Sequence, residues 1–485
     1  MLNHKDDKPL YHARASAPTG SSGQAARRAD DEVLVRTGSI PGPKGRELIE
    51  RMRKAPRLGG YEDPRDPGYL LMMAAQRGGY VWDVDGNRFI DFNSGWATHN
   101  VGHPPEEIIE AAMPALRDIG VYCPSEGIGT SLRYELADKL LATLPSHIQR
   151  IAYCCTGTEA VEGAMKFMRA ATGRPNIISF HANYHGLSYG AMAAGPLNAS
   201  MRDPVMQAMP GHILTPYASC YRCAFRLQYP SCNVWCADFI DEILMRYSAP
   251  PESVAGILVE PIQGEAGIWV PPDDYLPRLQ KLCRKYGWLL CVDEVESGFG
   301  RSGKMWAFEH FDVKPDLVVI GKGLSGSILP ITAIAATPEV MDREVSVGGT
   351  FGGQPAACVA AIKALERVEQ KGILEHCTRL GEIALRRLRE MQQRYEIIGE
   401  VRGRGLFLAI DFVKDRETKE RDYETAHDVY YDCLQDGLCT MYDSISWFAR
   451  ILPVLDIEER LFLRGLDIFE KSVSRLNARR RDSKA

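Results

Sequence analysis

The sequence predicts an α/β fold carrying a mostly parallel sheet, and three observations lead there. Short apolar runs alternate with helical patterns, three of those runs stop at or just before a charged residue, and a helical repeat fills the interval between two of them. The runs are Val254–Val259, which stops at Glu260; Leu289–Val292, which stops at Asp293; and Leu317–Ile320, followed by Gly321 and Lys322. Between the first two, the stretch from Tyr275 to Tyr286 sets Leu276, Leu279, Leu282 and Cys283 on one helical face, the pattern of a strand–helix–strand unit. Open parallel sheets bind ligands beyond the carboxyl ends of their strands, so Glu260, Asp293 and Lys322 are candidate site residues by position. A strand end also meets solvent and is often charged for that reason alone. The stronger signal is that a lysine and an acid fall on neighbouring ends.

Composition narrows the class. The 485 residues include 58 Lys plus Arg against 63 Asp plus Glu, a net charge of −5, which excludes a dedicated nucleic-acid binder. Hydrophobic residues at 45% and charged residues at 25% are those of a folded enzyme rather than a disordered chain. At about 150 residues per unit the chain holds two or three domain-sized parts. No apolar run approaches the ~18 residues of a membrane span. Lys5, Asp6, Asp7 and Lys8 precede no apolar stretch, so no secretory signal is read and a cytoplasmic location is expected. Thirteen scattered cysteines, an odd number, fit reduced thiols there.

The expected division is a flexible arm over 1–39, a large domain over 96–349, and a smaller α+β domain combining 40–95 with 350–485. The stretch Ala15 to Gly23 reads as linker, and the tail Ala478 to Ala485, with its three consecutive arginines, as a frayed, solvated end.

Two further motifs carry chemistry. After the apolar run Ile151–Tyr153 come Cys154, Cys155, Thr156, Gly157, Thr158 and Glu159, leading into a helical pattern through Val161, Ala164, Met165 and Met168. Small residues at a helix start leave N–H groups open to a phosphate, though alone such a start is more often a plain cap. Tyr184, His185 and Gly186 follow the apolar segment Ile177–Phe180, placing an aromatic side chain where it could stack on a planar ligand or simply join the core. A phosphate cradle, an aromatic platform, an acid and a lysine together suggest pyridoxal 5'-phosphate, with the lysine in a Schiff base and the acid paired to the ring nitrogen.

In these residues the chain resembles the class III aminotransferases, pyridoxal-phosphate enzymes of fold type I that include ornithine, acetylornithine and 4-aminobutyrate aminotransferases. The resemblance runs from about Gly79 to Ile457 and keeps the order of the motifs: Gly157 to Ala160, Tyr184 to Gly186, Glu260 to Gly267, Asp293 to Arg301, Gly321 to Gly326, and Gly349 to Pro355. It implies a large domain on a mostly parallel seven-stranded sheet, Lys322 and Asp293 as catalytic residues, and Gly157, Thr158, Tyr184, His185, Glu296 and Thr350 with them around the cofactor. It also implies a homodimer with shared active sites, because the threonine matching Thr350 reaches the neighbouring subunit's phosphate. For substrate it implies Arg450, in Arg450 to Pro453, as the holder of a carboxylate, pairing with Glu265 when no second carboxylate is bound. Trp96 falls among substrate-pocket positions. The expected reaction is ping-pong transfer of an amino group from an amino acid or ω-amine to a keto acid such as 2-oxoglutarate or pyruvate.

Departures and rivals remain. Glu296 stands where the motif usually has Gln, so its carboxyl is expected either to hold a proton or to face a cation; Gln354 for Asn is a milder change. Cys220, Cys223, Cys232 and Cys236 have spacing that could close a zinc site, but the eight-residue interval is shorter than in most zinc ribbons, free thiols are the plainer reading, and no metal is assigned. They are expected in an insertion loop before the Val254 strand. An amino-acid racemase, epimerase or aminomutase would use the same machinery without a keto acid. A dialkylglycine decarboxylase fits less well, since those enzymes usually place a tryptophan where Tyr184 stands. A non-catalytic protein on this fold would normally lack the lysine or the acid.

Overall fold

The computed structural model describes residues 34–54, 71–121, 128–199, 209–441 and 446–484. The expected arm over 1–39 lies almost wholly outside these residues. At the centre is a seven-stranded sheet. In spatial order its strands are Arg150–Cys154, Thr332–Ala336, Leu317–Ile320, Leu289–Asp293, Val254–Val259, Asn176–Phe180 and His212–Thr215. The last five run parallel; Thr332–Ala336 lies antiparallel to both of its neighbours.

Side-chain alternation explains why these strands read as unbroken apolar runs. Ile177, Leu258, Cys291 and Val319 point to one face, where the helix Gly157–Thr172 covers them with Val161, Ala164, Met165 and Met168. Ile178, Ile257, Leu290 and Val318 point to the other, against Leu276, Leu279 and Leu282 of the helix Tyr275–Tyr286. All six residues of Val254–Val259 are buried, as a strand covered on both faces requires. Each fully buried aliphatic side chain contributes about 1.5–3 kcal/mol, so the layer order follows from where the sequence spends its Val, Ile and Leu.

Two smaller sheets flank this core. Met73–Arg77, Tyr80–Asp83 and Arg88–Phe92 form an antiparallel set that Leu438–Thr440 extends in parallel, joining early and late chain. In the other, Phe407–Asp415 pairs with Ile398–Arg404 and with Phe448–Ile451, in a register that sets Ala409 opposite Arg450. The Phe407–Asp415 strand is thus what positions Arg450.

Two expectations are corrected. The tail is not frayed: Glu459–Lys484 is one helix, and Arg480 donates to the Val413 carbonyl at 2.7 Å while Arg481 pairs with Glu396 at 3.1 Å. Two of the three arginines read as solvated, Arg480 and Arg481, thus have acceptors outside their own helix. The cysteine insertion is partly helical, with a short turn at Cys220–Arg222 and helical backbone from Trp235 to Tyr247. It docks on the Phe407–Asp415 strand, where Arg222 and Arg402 both pair with the buried Asp411.

Candidate active site

The site opens at the carboxyl ends of the parallel strands, in a cavity of about 540 Å³ lined by Gly157, Thr158, Tyr184, Asp293, Glu296 and Lys322, among others. Four segments far apart in sequence deliver these residues. Lys322 follows the Leu317–Ile320 strand and starts a short turn at φ +42°, a left-handed backbone that a lysine adopts only when its surroundings impose it. Its side chain is 17% exposed, and Nζ stands 2.8 Å from Glu296 Oε2 and 3.8 Å from Glu265 Oε1.

Asp293 closes its strand and is buried. Its Oδ2 accepts a hydrogen bond from His185 Nδ1 at 2.7 Å and its Oδ1 accepts from the Val295 N–H at 3.1 Å. Behind His185, Asn183 stands 2.9 Å from Nε2 and in turn accepts from Gln263. The carboxylate is therefore fixed from the rear with its free side toward the cavity. His185 backs Asp293, a role its sequence position did not reveal.

The helix Gly157–Thr172 points its N-terminus into the cavity. A reciprocal cap fixes that end: Thr156 Oγ1 accepts from the Glu159 N–H, and the Glu159 carboxylate accepts from the Cys155 and Thr156 N–H groups. The first N–H groups of a helix have no acceptor within it, which suits the Gly157–Thr158 end to an anion. The Thr158 hydroxyl lies 2.6 Å from Ser188 Oγ, and Ser188 Oγ in turn donates to Glu162 at 2.6 Å. Ser188 and Glu162 went unnoticed in the sequence; the only available signal was a serine two residues past the Tyr184–Gly186 motif. Gly186 is obligatory here: at φ +119°, a Cβ would come 2.4 Å from that of Thr158.

Tyr184 is half-buried on the cavity wall, and its N–H donates to Glu260 Oε1 at 2.8 Å. Glu260 also accepts from the Gly264 N–H at 2.9 Å; burial, reinforced by the Asp293 charge, pushes its carboxyl well above the usual range. It shapes the loops on either side of the site.

Arg450 and Glu265 form a buried pair at 2.6 Å, 1% and 3% exposed. The rings of Trp96 and Phe448 each lie 5.6 Å from the guanidinium carbon. Burial alone would raise the Glu265 carboxyl, but Arg450 and Lys322 hold it below the ordinary range. For Glu296 burial prevails over the pull of Lys322, with Glu265 adding its repulsion, and the carboxyl is raised. Gly264 makes room for it, since a Cβ there would fall 2.5 Å from Glu296 Oε2. Thr350 is exposed and does not line this chain's own cavity.

The four insertion cysteines line a separate cavity of about 20 Å³. Burial, then mutual repulsion, pushes Cys220 up to about 11 and Cys236 up to about 12. Among the described residues no group of three or more His, Cys, Asp or Glu side chains is placed to hold a metal ion.

A lysine, a rear-anchored acid and a helix start around one cavity form a site for pyridoxal 5'-phosphate, and comparison with known proteins decides the family. The model of aminotransferase class III matches residues 61–473. The chain belongs to the class III aminotransferase family. It is accordingly a pyridoxal 5'-phosphate-dependent aminotransferase of fold type I, acting on a small-molecule amino donor and a keto-acid acceptor. Among its relatives is the leucine/methionine racemase of Thermococcus litoralis, 38% identical over 81% of this chain and 88% of that protein. The 4-aminobutyrate aminotransferase of Escherichia coli is 32% identical over 88% of this chain and 97% of that protein. Among solved structures, taurine:2-oxoglutarate aminotransferase from Bifidobacterium kashiwanohense, in complex with PLP and glutamate, superposes with a TM-score of 0.80 at 26% identity, covering 90% of this chain and 98% of that one. No described helix of this class III aminotransferase is long and apolar enough to cross a membrane.

Proposed function

We propose that this aminotransferase moves the amino group of a carboxylate-bearing donor to 2-oxoglutarate or pyruvate in a ping-pong cycle, with Lys322 as the reacting amine. The observation that carries the reading is the convergence of Lys322, Asp293 and the Gly157–Thr158 helix start on one cavity, with Lys322 in turn 3.8 Å from Glu265, the carboxylate that pairs with the buried Arg450.

The residues fit the cofactor. Gly157 and Thr158 would hold its phosphate, Tyr184 would pack on its ring, and Asp293, fixed by His185 and the Val295 N–H, would face the ring nitrogen. When bound, the cofactor supplies an aldehyde and an electron sink. Lys322 Nζ takes the proton from the amine-bearing carbon and later returns one. Arg450 grips the donor's carboxylate through its planar fork, and Glu265 holds the guanidinium when no second carboxylate competes. Trp96 narrows the space beside Arg450 and so limits donor bulk.

The reading extends to the assembly. Thr350 is exposed and Phe351 beside it is 54% exposed, which supports a homodimer in which Thr350 completes the partner's phosphate site. All twelve described cysteines are free thiols, in keeping with a cytoplasmic setting. A large domain over 96–349 and a small one from 40–95 with 350–485 would place the substrate between them.

A second reading, isomerisation, draws on the racemase relative, which is 38% identical. One experiment separates the two: a panel of amino donors with and without pyruvate or 2-oxoglutarate, with deuterium exchange followed at each donor carbon. Amino transfer that requires the keto acid supports the first reading. Inverted donor formed in its absence replaces it with the second.

A further inference from the structure

Glu296 occupies a position where the family motif usually carries an uncharged amide, and it is the acid closest to Lys322. Its Oε2 lies 2.8 Å from Nζ, whereas its Oε1 is buried and receives no hydrogen bond among the described residues. A buried anionic oxygen without a donor is costly, and protonation removes the cost. Glu265, the other acid in reach, is committed to Arg450 at 2.6 Å and stands 3.8 Å from Nζ. Two carboxylates face one ammonium and one guanidinium, so the buried set is neutral as long as Lys322 is an ammonium. Once its nitrogen is bonded to an aldehyde carbon, that balance fails by one charge unless a proton stays behind.

We propose that Glu296 is the proton partner of Lys322: it takes the ammonium proton when the amine attacks an aldehyde and gives it back when the amine is released. The bookkeeping closes. Of the three protons on the ammonium nitrogen, one passes to Glu296 and two leave with the carbonyl oxygen as water, while a carbon–nitrogen double bond replaces the carbon–oxygen one. A protonated Glu296 can then direct its hydrogen toward the neighbouring Glu265 carboxylate, which keeps its pairing with Arg450. A glutamine at the same position could not store the proton.

The inference rests on Lys322 being the condensing amine, and the test separates the two claims. Full-length protein is loaded with pyridoxal 5'-phosphate near neutral pH, infrared difference spectra are recorded against the unloaded protein, and the adduct is mapped after borohydride reduction. The parent is expected to gain the band of a protonated carboxyl on loading, Glu296→Asp to gain it at a shifted frequency, and Glu296→Gln to lack it. No such band in the parent, or the same band in Glu296→Gln, with the adduct on Lys322, overturns this inference alone. No adduct on Lys322 overturns both claims. Should Glu296→Gln not fold, Glu296→Asp decides: a band unshifted from the parent's places the proton on another acid and sinks the proposal.

Discussion

His185 Nδ1 donates to Asp293 Oδ2 at 2.7 Å, and the two side chains are 0% and 4% exposed. A fully buried imidazole thereby fixes the orientation of the acid proposed to meet the cofactor. Replacing Asp293 with Asn preserves the shape and removes the charge. We expect kcat to fall on the order of 10²- to 10³-fold while the cofactor still binds, measured by steady-state turnover beside cofactor absorbance. Undiminished turnover would remove Asp293 from the mechanism.

Gly186 approaches Thr158 so closely that no other residue fits its backbone. For Gly186→Ala the Cβ must push Thr158 aside at a φ of +119°, so the proposed phosphate site would lose its hydroxyl donor. Cofactor affinity should weaken about tenfold or more, the scale of one hydrogen bond to a charged group, as read by fluorescence titration. Thr158→Ser should lose far less.

Arg450 is held by Glu265 on one side and by the Trp96 and Phe448 rings on the others. Lysine keeps the charge but not the two-pronged geometry. Arg450→Lys should therefore raise KM for dicarboxylate substrates about tenfold or more, with a smaller effect on amines that lack a carboxylate. A uniform change across both substrate classes would show that the arginine is structural.

Glu294 is fully buried beside the site, accepting from Ser297 Oγ at 2.8 Å and the Phe308 N–H at 2.7 Å, and burial pushes its carboxyl up to about 8. The folded protein keeps this proton where the unfolded chain has lost it. The group's contribution is whole below its ordinary value of 4.5 and is lost as pH rises through about 8. Glu294→Gln retains an acceptor for Phe308 and a partner for Ser297, so its Tm should fall less than the parent's between those limits. Parallel Tm curves would contradict the assignment.

Much of the fold was legible because burial on both faces leaves a plain mark: Val254–Val259, Leu289–Val292 and Leu317–Ile320 are strands within one residue of where the apolar runs place them. The charged residues at their ends were readable for the same reason. What the sequence could not show were contacts made across hundreds of residues. Nothing near Glu296 reveals that its partner is Lys322, and nothing near Thr158 reveals Ser188 and Glu162 behind it. The tail was misread because three arginines in a row suggest solvent, whereas Arg480 finds a carbonyl acceptor at Val413 on a neighbouring strand. Charge runs report composition, and only the fold decides whether acceptors lie opposite.

Every step of the reaction depends on Lys322 being the amine that joins the cofactor. Borohydride reduction of the loaded enzyme, followed by peptide mass mapping, tests this directly. The reduced pyridoxyl group is expected on Lys322 and nowhere else; its appearance on another lysine, or on none, would contradict the account.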